Sequence, residues 1–154
     1  MGLKQMKIND IVKIGLFIAL IAIGSYIQIP LFIIPVTLQY AMVNIATLSL
    51  KKYHATFAVG LYILLGLIGI PIFASGSGIG YVFRFGFGYL LGFLAITIIC
   101  PNIYERLVNK TKWASLITII SGWLILYAVA LPYCYFLANY VLMTPKAAMQ
   151  IIQS

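Results

Sequence analysis

Acid is nearly absent from this 154-residue chain: Asp10 and Glu105 are its only carboxylates, against ten Lys and Arg. Charged residues make up 8% of the sequence, where a soluble domain carries about 25%. A water-facing surface cannot be built from so little charge. With 64% hydrophobic residues, the chain reads as an integral membrane protein forming a single bundle. Neither carboxylate falls inside an apolar run, so no acidic side chain is placed to relay protons across a bilayer. No Walker A sequence appears, and any uphill work must draw its energy from elsewhere. There is no HExxH and no nucleophile–base pair, which leaves an enzyme reading nothing to stand on and no cofactor expected. The two cysteines, Cys100 and Cys134, lie in apolar runs without CxxC spacing and read as small buried hydrophobes. His54 has no metal-spaced companion and stands beside Lys51 and Lys52, so no metal site is expected.

What is present is apolar sequence in five segments. They cover about 11–29, 37–50, 55–70, 87–100 and 113–140, followed by an amphipathic tail over 144–154. The first has no convincing small-residue cleavage site and reads as a retained span. The third and fourth are expected to stop at Pro71 and Pro101. The second and fourth look short for a full crossing, as helices bordering a cavity often are. The fifth exceeds the roughly twenty residues needed to span hydrocarbon, so a kink at Pro132 or a projection above the membrane is expected.

The basic residues cluster between these runs, which makes them topology determinants and not a nucleic-acid surface. With the N-terminus cytoplasmic, Lys4, Lys7, Lys13, Lys51, Lys52, Arg106, Lys110 and Lys112 fall inside and only Arg84 and Lys146 outside. The short turn framed by Pro30 and Pro35 then faces the exterior, as does Arg84.

Arg84 is the one charge in a glycine-rich, aromatic stretch, Pro71 to Gly88. It snorkels to the outer interface, pairs with a lipid phosphate, or holds an anionic ligand. No outer acid exists to pair with it, and a guanidinium binds a carboxylate through two parallel hydrogen bonds. The SGSGIG run (Ser75 to Gly80) lacks the strand and the Gly-Lys-Ser/Thr ending of a nucleotide loop. It reads as a plain connector or as a loop folding over a small ligand, its glycines allowing close backbone approach. On the second segment, Thr37 is a helix cap or a ligand contact. Gln39 must satisfy a costly buried amide through another helix or a ligand. Two small-residue faces stand out: Gly15 and Ala19 with Ala22 on the first segment, and Gly88 and Gly92 on the fourth. Each serves internal packing or docking onto a partner.

Three pieces carry a resemblance to a known family. They are Pro35-Val-Thr-Leu-Gln39, the YILLGLIGIPIFASGSGIG segment from Tyr62 to Gly80, and GYLLGF from Gly88 to Phe93. In order and spacing, through about Ala130, the chain resembles the substrate-binding S component of energy-coupling-factor (ECF) vitamin transporters, most closely the biotin-specific BioY family. The resemblance implies an all-α, six-helix membrane fold, of which five spans are visible here. It also implies an outward vitamin pocket closed by loops, in the plasma membrane of a bacterium. The partners implied are biotin, membrane lipid, a transmembrane T component and two ATP-binding cassette ATPases. The ligand would be held by Arg84 on its carboxylate and covered by Phe73, Tyr81 and Phe83. Thr37, Gln39, Tyr40, Ser75, Gly76 and Ser77 complete the set. Gly15, Ala19 and Ala22 match the face that docks on the T component.

The chain departs from the family at two points. Many members read Pro-Thr-Gly-Gly-Tyr where this chain has Phe85-Gly86-Phe87-Gly88-Tyr89. The family also continues into a sixth helix that opens on a Pro-Gly-Asp-like element and a Lys. This chain ends at Ser154, where that helix is due, so a C-terminally truncated sequence is expected. Two other functions fit the same residues: an S component for a different vitamin or small organic anion, and a non-transport protein that assembles a membrane complex.

Overall fold

A computed structural model of the chain describes residues 7–31 and 34–141, with backbone alone for 28–31, 34–36, 52, 140 and 141. The described elements are α1 (Ile8–Tyr26), β1 (Gln28–Leu31), β2 (Ile34–Thr37), α2 (Leu38–Ser49), α3 (Lys52–Ile68), a 3₁₀ turn (Ile79–Phe83), α4 (Phe85–Leu107), α5 (Ala114–Phe136) and a π turn (Leu137–Val141). The all-α expectation holds for the bundle, with one addition. The expected turn between the first two segments is an antiparallel hairpin, and the first helix gives way to it at Tyr26, short of residue 29. Pro30 and Pro35 face each other on one rung. Neither has an N–H to offer, so this register places both missing donors together and spares the neighbouring rungs.

The other helices also depart from the apolar runs. α2 has 12 residues, a rise of about 18 Å that falls short of a 30 Å hydrocarbon core. α3 begins at Lys52 and stops before residue 70, because Gly69 takes a left-handed φ of 116°. Ile70 N–H then bonds Leu65 O and Gly69 N–H bonds Gly66 O, both at 3.2 Å. This closing pattern satisfies the last carbonyls. α4 is not short: it runs for 23 residues, straight through Pro101. Pro101 has no N–H for the carbonyl four residues back, at Thr97, and Thr56 Oγ1 on α3 donates to that oxygen instead at 3.3 Å. α5 likewise continues through Pro132, and the π turn takes over at Leu137. The tail over 144–154 lies outside the described residues.

Among the described residues, three helices are long and apolar enough to cross a membrane: Ile8–Tyr26, Phe85–Leu107 and Ala114–Asn139. Their outward faces are greasy, with Ile120 63% and Leu124 72% exposed on successive turns of α5. Water would not tolerate such a surface, and lipid requires it. The core joins Ile21 of α1, Val43 of α2, Val59 and Tyr62 of α3, and Phe93, Ile96 and Cys100 of α4. Buried hydroxyls of Thr47 and Thr118 return to carbonyls of their own helices, Val43 O and Ala114 O. The two cysteines are buried and unbridged.

Charge divides between the two ends of the bundle. Lys51 Nζ lies 3.4 Å from Asp10 Oδ2, which joins the start of α1 to the link between α2 and α3. Glu105 and Arg106 occupy the last turns of α4, beside the Lys110–Lys112 connection to α5. The opposite end holds the hairpin and the glycine-rich stretch, with Arg84 at the head of α4.

Candidate functional site

The glycine-rich stretch is folded, not a loose connector. Phe73 bridges to Gly76 as a single β pair, and Gly78 N–H returns to Gly66 O at 2.8 Å. Ser77 Oγ donates to Gly69 O at 3.0 Å. Gly76 and Gly78 sit at φ 119° and 92°, where a side chain is strained, so the tight path requires glycine. The anchor is Phe73, only 1% exposed. Its ring occupies the notch left by Gly66, where an added Cβ would come within 2.1 Å of it.

Aromatic packing leads from this anchor to the cation. Phe73 stacks on Tyr62 at 5.4 Å and on Tyr81 at 4.5 Å between centroids. Tyr81 in turn lies beneath Arg84, whose guanidinium carbon is 6.0 Å from the ring centre. Burial lifts the Tyr81 phenol above its usual pKa, with the charge of Arg84 and the side chain of Ser75 opposing. Arg84 is exposed and donates from Nη1 to Ser75 O. That bond engages one of five guanidinium N–H groups. Among the described residues no carboxylate is near, since Glu105 lies at the far end of the same helix, about 30 Å away at 1.5 Å per residue. Asp10 pairs with Lys51 at that same far end.

A second polar group borders this cluster. Gly24 of α1 lets the first turn of α2 approach so closely that an added Cβ would sit 3.0 Å from Gln39 N. Gln39 is thereby 5% exposed, and its Nε2 has no hydrogen-bond partner among the described residues. Beside it are Ser25, whose hydroxyl lies 2.7 Å from Ala22 O and 3.0 Å from Ile72 O, and the Tyr62 hydroxyl, which donates to Ile72 O at 2.9 Å. Tyr26, next along α1, donates its hydroxyl to Pro71 O. A buried amide donor without an acceptor is costly, and here it stands at the wall of the glycine-rich stretch.

The structure therefore gathers Phe73, Ser75, Gly76, Tyr81 and Arg84 in one cluster, with Gln39 joined to it through Tyr62. Thr37 precedes α2 but makes no side-chain cap, which removes the capping role open to it. Tyr40 points elsewhere: its hydroxyl donates to Ile119 O of α5 at 2.6 Å and its ring meets Trp123. Phe83 is 60% exposed, and Ser77 spends its hydroxyl on Gly69 O. Sequence reasoning passed over Ser25, Tyr26 and Tyr62, and also Tyr133 on α5, whose hydroxyl donates to Val82 O. Their signal was faint: Ser25 and Tyr26 stand near the end of an apolar run, and Tyr62 and Tyr133 lie within one. Among the described residues, no three His, Cys, Asp or Glu side chains come together as a metal site.

The two small-residue faces have different fates. A Cβ on Gly92 would meet Leu126 at 2.6 Å and one on Gly88 would meet Tyr133 at 2.9 Å, so this pair seats α4 on α5. Gly15 has nothing within 4 Å of an added Cβ, and Ala19 is exposed. Internal packing thus claims the α4 face, while on α1 it claims only Ala22, which packs against the core.

Comparison with known proteins gives a consistent answer. A model described as the BioY family matches residues 2–153. The chain is 39% identical over 137 residues to a probable biotin transporter BioY of Lysinibacillus sphaericus, covering 89% of this chain and 70% of that protein. It is 38% identical over 125 residues to biotin transporter BioY2 of Lactococcus lactis subsp. cremoris, covering 80% and 69%. Among solved structures, the S-component for biotin from an ECF-type ABC transporter matches with a TM-score of 0.71. That match has 22% identity and covers 97% of this chain and 90% of the other, a likeness in fold.

Proposed function

This chain belongs to the BioY family, and from that premise we propose that it is the biotin-capturing S component of an ATP-driven vitamin importer. The protein is a membrane transport subunit and not an enzyme. Biotin combines a carboxylate on an apolar tail with a polar ureido ring. The observation that carries the reading is Arg84: an exposed guanidinium supported by a neutral carbonyl, at the end of the bundle opposite both carboxylates. Arg84 takes the ligand carboxylate through its free N–H groups. Gln39, with an unused buried donor, takes a polar atom of the ring system. Tyr81 and Phe83 cover the apolar part, with Phe73 holding the floor beneath Tyr81. Ser75, Gly76 and Ser77 shape the closing loop, Thr37 borders the start of α2, and Tyr40 ties the first turn of α2 to α5.

The clustering of basic residues away from Arg84 supports a cytoplasmic N-terminus, with the glycine-rich end facing outward. The chain contains no ATPase sequence, so the reading assigns energy to two cytoplasmic ATPases acting through a T component. Gly15 and Ala19, with Ala22 beside them, form the face that meets the T component, because Gly15 and Ala19 are left uncovered by the bundle. A thermal-shift panel tests the ligand. Biotin at 100 times its Kd is expected to stabilise the purified protein by about 2.7 kcal/mol, while riboflavin, thiamine and pantothenate leave the melting temperature unchanged. Stabilisation by one of those vitamins and not by biotin would transfer the scaffold to that ligand. No stabilisation by any of them would favour the membrane-assembly reading.

A further inference from the structure

Arg84 stands at the junction between the 3₁₀ turn and α4. The 3₁₀ turn ends at Phe83, α4 starts at Phe85, and Arg84 between them is extended at φ −106° and ψ 149°. Its own backbone groups are held locally, the N–H donating to Tyr81 O at 3.0 Å and the carbonyl accepting from Phe87 N–H at 3.1 Å, while the flanking carbonyls of Val82 and Phe85 are held from another helix. Two side chains of α5 reach carbonyls on either side of this junction. The Tyr133 hydroxyl donates to Val82 O just before Arg84, and the Cys134 thiol lies 3.7 Å from Phe85 O just after it. The Tyr133 ring is itself seated, packing on Phe87 at 5.8 Å and filling the notch at Gly88. Arg84 is thus clamped from the far helix, while Ser75 O steers its guanidinium from the near loop.

We propose that Tyr133, seconded by Cys134, is a positioning residue that fixes the backbone of Arg84 and so sets the preference of the site for a carboxylate. Neither side chain touches the ligand in this account. The inference rests on the reading of Arg84 as the carboxylate anchor. A side chain with four rotatable bonds holds an anion well only when its base is fixed, because ordering it on binding costs affinity. Loosening the clamp therefore penalises a ligand bearing a carboxylate and spares the same ligand without the charge.

The test compares biotin with its neutral carboxamide, bound to the full chain in detergent, for wild type, Tyr133→Phe and Arg84→Ala. Tyr133→Phe keeps the ring in its notch and removes only the hydroxyl. The expected result is a loss of about fivefold in biotin affinity, the scale of one hydrogen bond, with carboxamide affinity unchanged. Equal weakening of both ligands, which a merely structural role would give, or no change in either, overturns the inference. If Arg84→Ala erases the preference for biotin while Tyr133→Phe keeps it whole, the inference fails and the reading of Arg84 stands. If wild type shows no preference, or Arg84→Ala retains it, the reading of Arg84 itself fails. Cys134→Ala is the second variant, should Tyr133→Phe not fold. It is expected to shrink the preference by about twofold, as suits a weak thiol donor, and an unchanged preference counts against the proposal.

Discussion

Two faces of this molecule carry small residues four apart, and they do opposite things. On α4, Gly88 and Gly92 lie against Tyr133 and Leu126 of α5, close enough that a single methyl has no room. On α1, Gly15 opens onto nothing and Ala19 is exposed. The spacing is the same on both helices, and it states only that some backbone approaches closely. Whether that backbone belongs to the same chain is decided by the bundle. One face is a completed seam, and the other is left uncovered by the bundle.

Substitutions sharpen this contrast. Gly92→Leu should give the largest effect, loss of the folded bundle, seen as absent monodisperse protein on size exclusion in detergent. Its Cβ already meets both the side chain and the carbonyl of Leu126, and no rotamer relieves a clash with backbone. Gly15→Leu should fold and bind biotin as wild type does, yet lose co-purification with the T component. Retained co-purification would remove the docking role from this face. Gly88→Ala should cost about 1–3 kcal/mol, the usual range for overpacking, because Tyr133 must shift to admit the methyl. Its thermal melt in detergent is the check. Gly15→Ala should be the mildest, changing stability by no more than about 0.5 kcal/mol, or raising it slightly through better helix propensity. A large loss there would show that the α1 face is packed after all.

The sequence made the bundle legible because apolar runs and basic clusters report directly on lipid and headgroups. It misplaced the ends of elements where tertiary contacts intervene. Pro101 should have ended α4, but Thr56 on another helix serves the carbonyl that the proline leaves open. The Pro30–Pro35 turn proved to be a paired hairpin, since cross-strand register is not a property of either proline alone. At the site, Arg84 and Gln39 stood out because charge and amide are rare in this sequence. Tyr133 did not, being one of eleven tyrosines. Its role depends on a carbonyl 51 positions away, a contact that no local pattern encodes. Phe73, expected to cover a ligand, is instead the buried peg that holds the loop. Only the coincidence of its ring with the absent side chain of Gly66 reveals this.

The central claim is that a single guanidinium at the glycine-rich end reads the carboxylate of biotin. Titration calorimetry of biotin into wild-type protein and Arg84→Ala, both shown to be folded by their melting temperatures, addresses it directly. The account predicts a loss of at least about tenfold in affinity, or 1.4 kcal/mol. Equal affinity in a folded Arg84→Ala protein would contradict it.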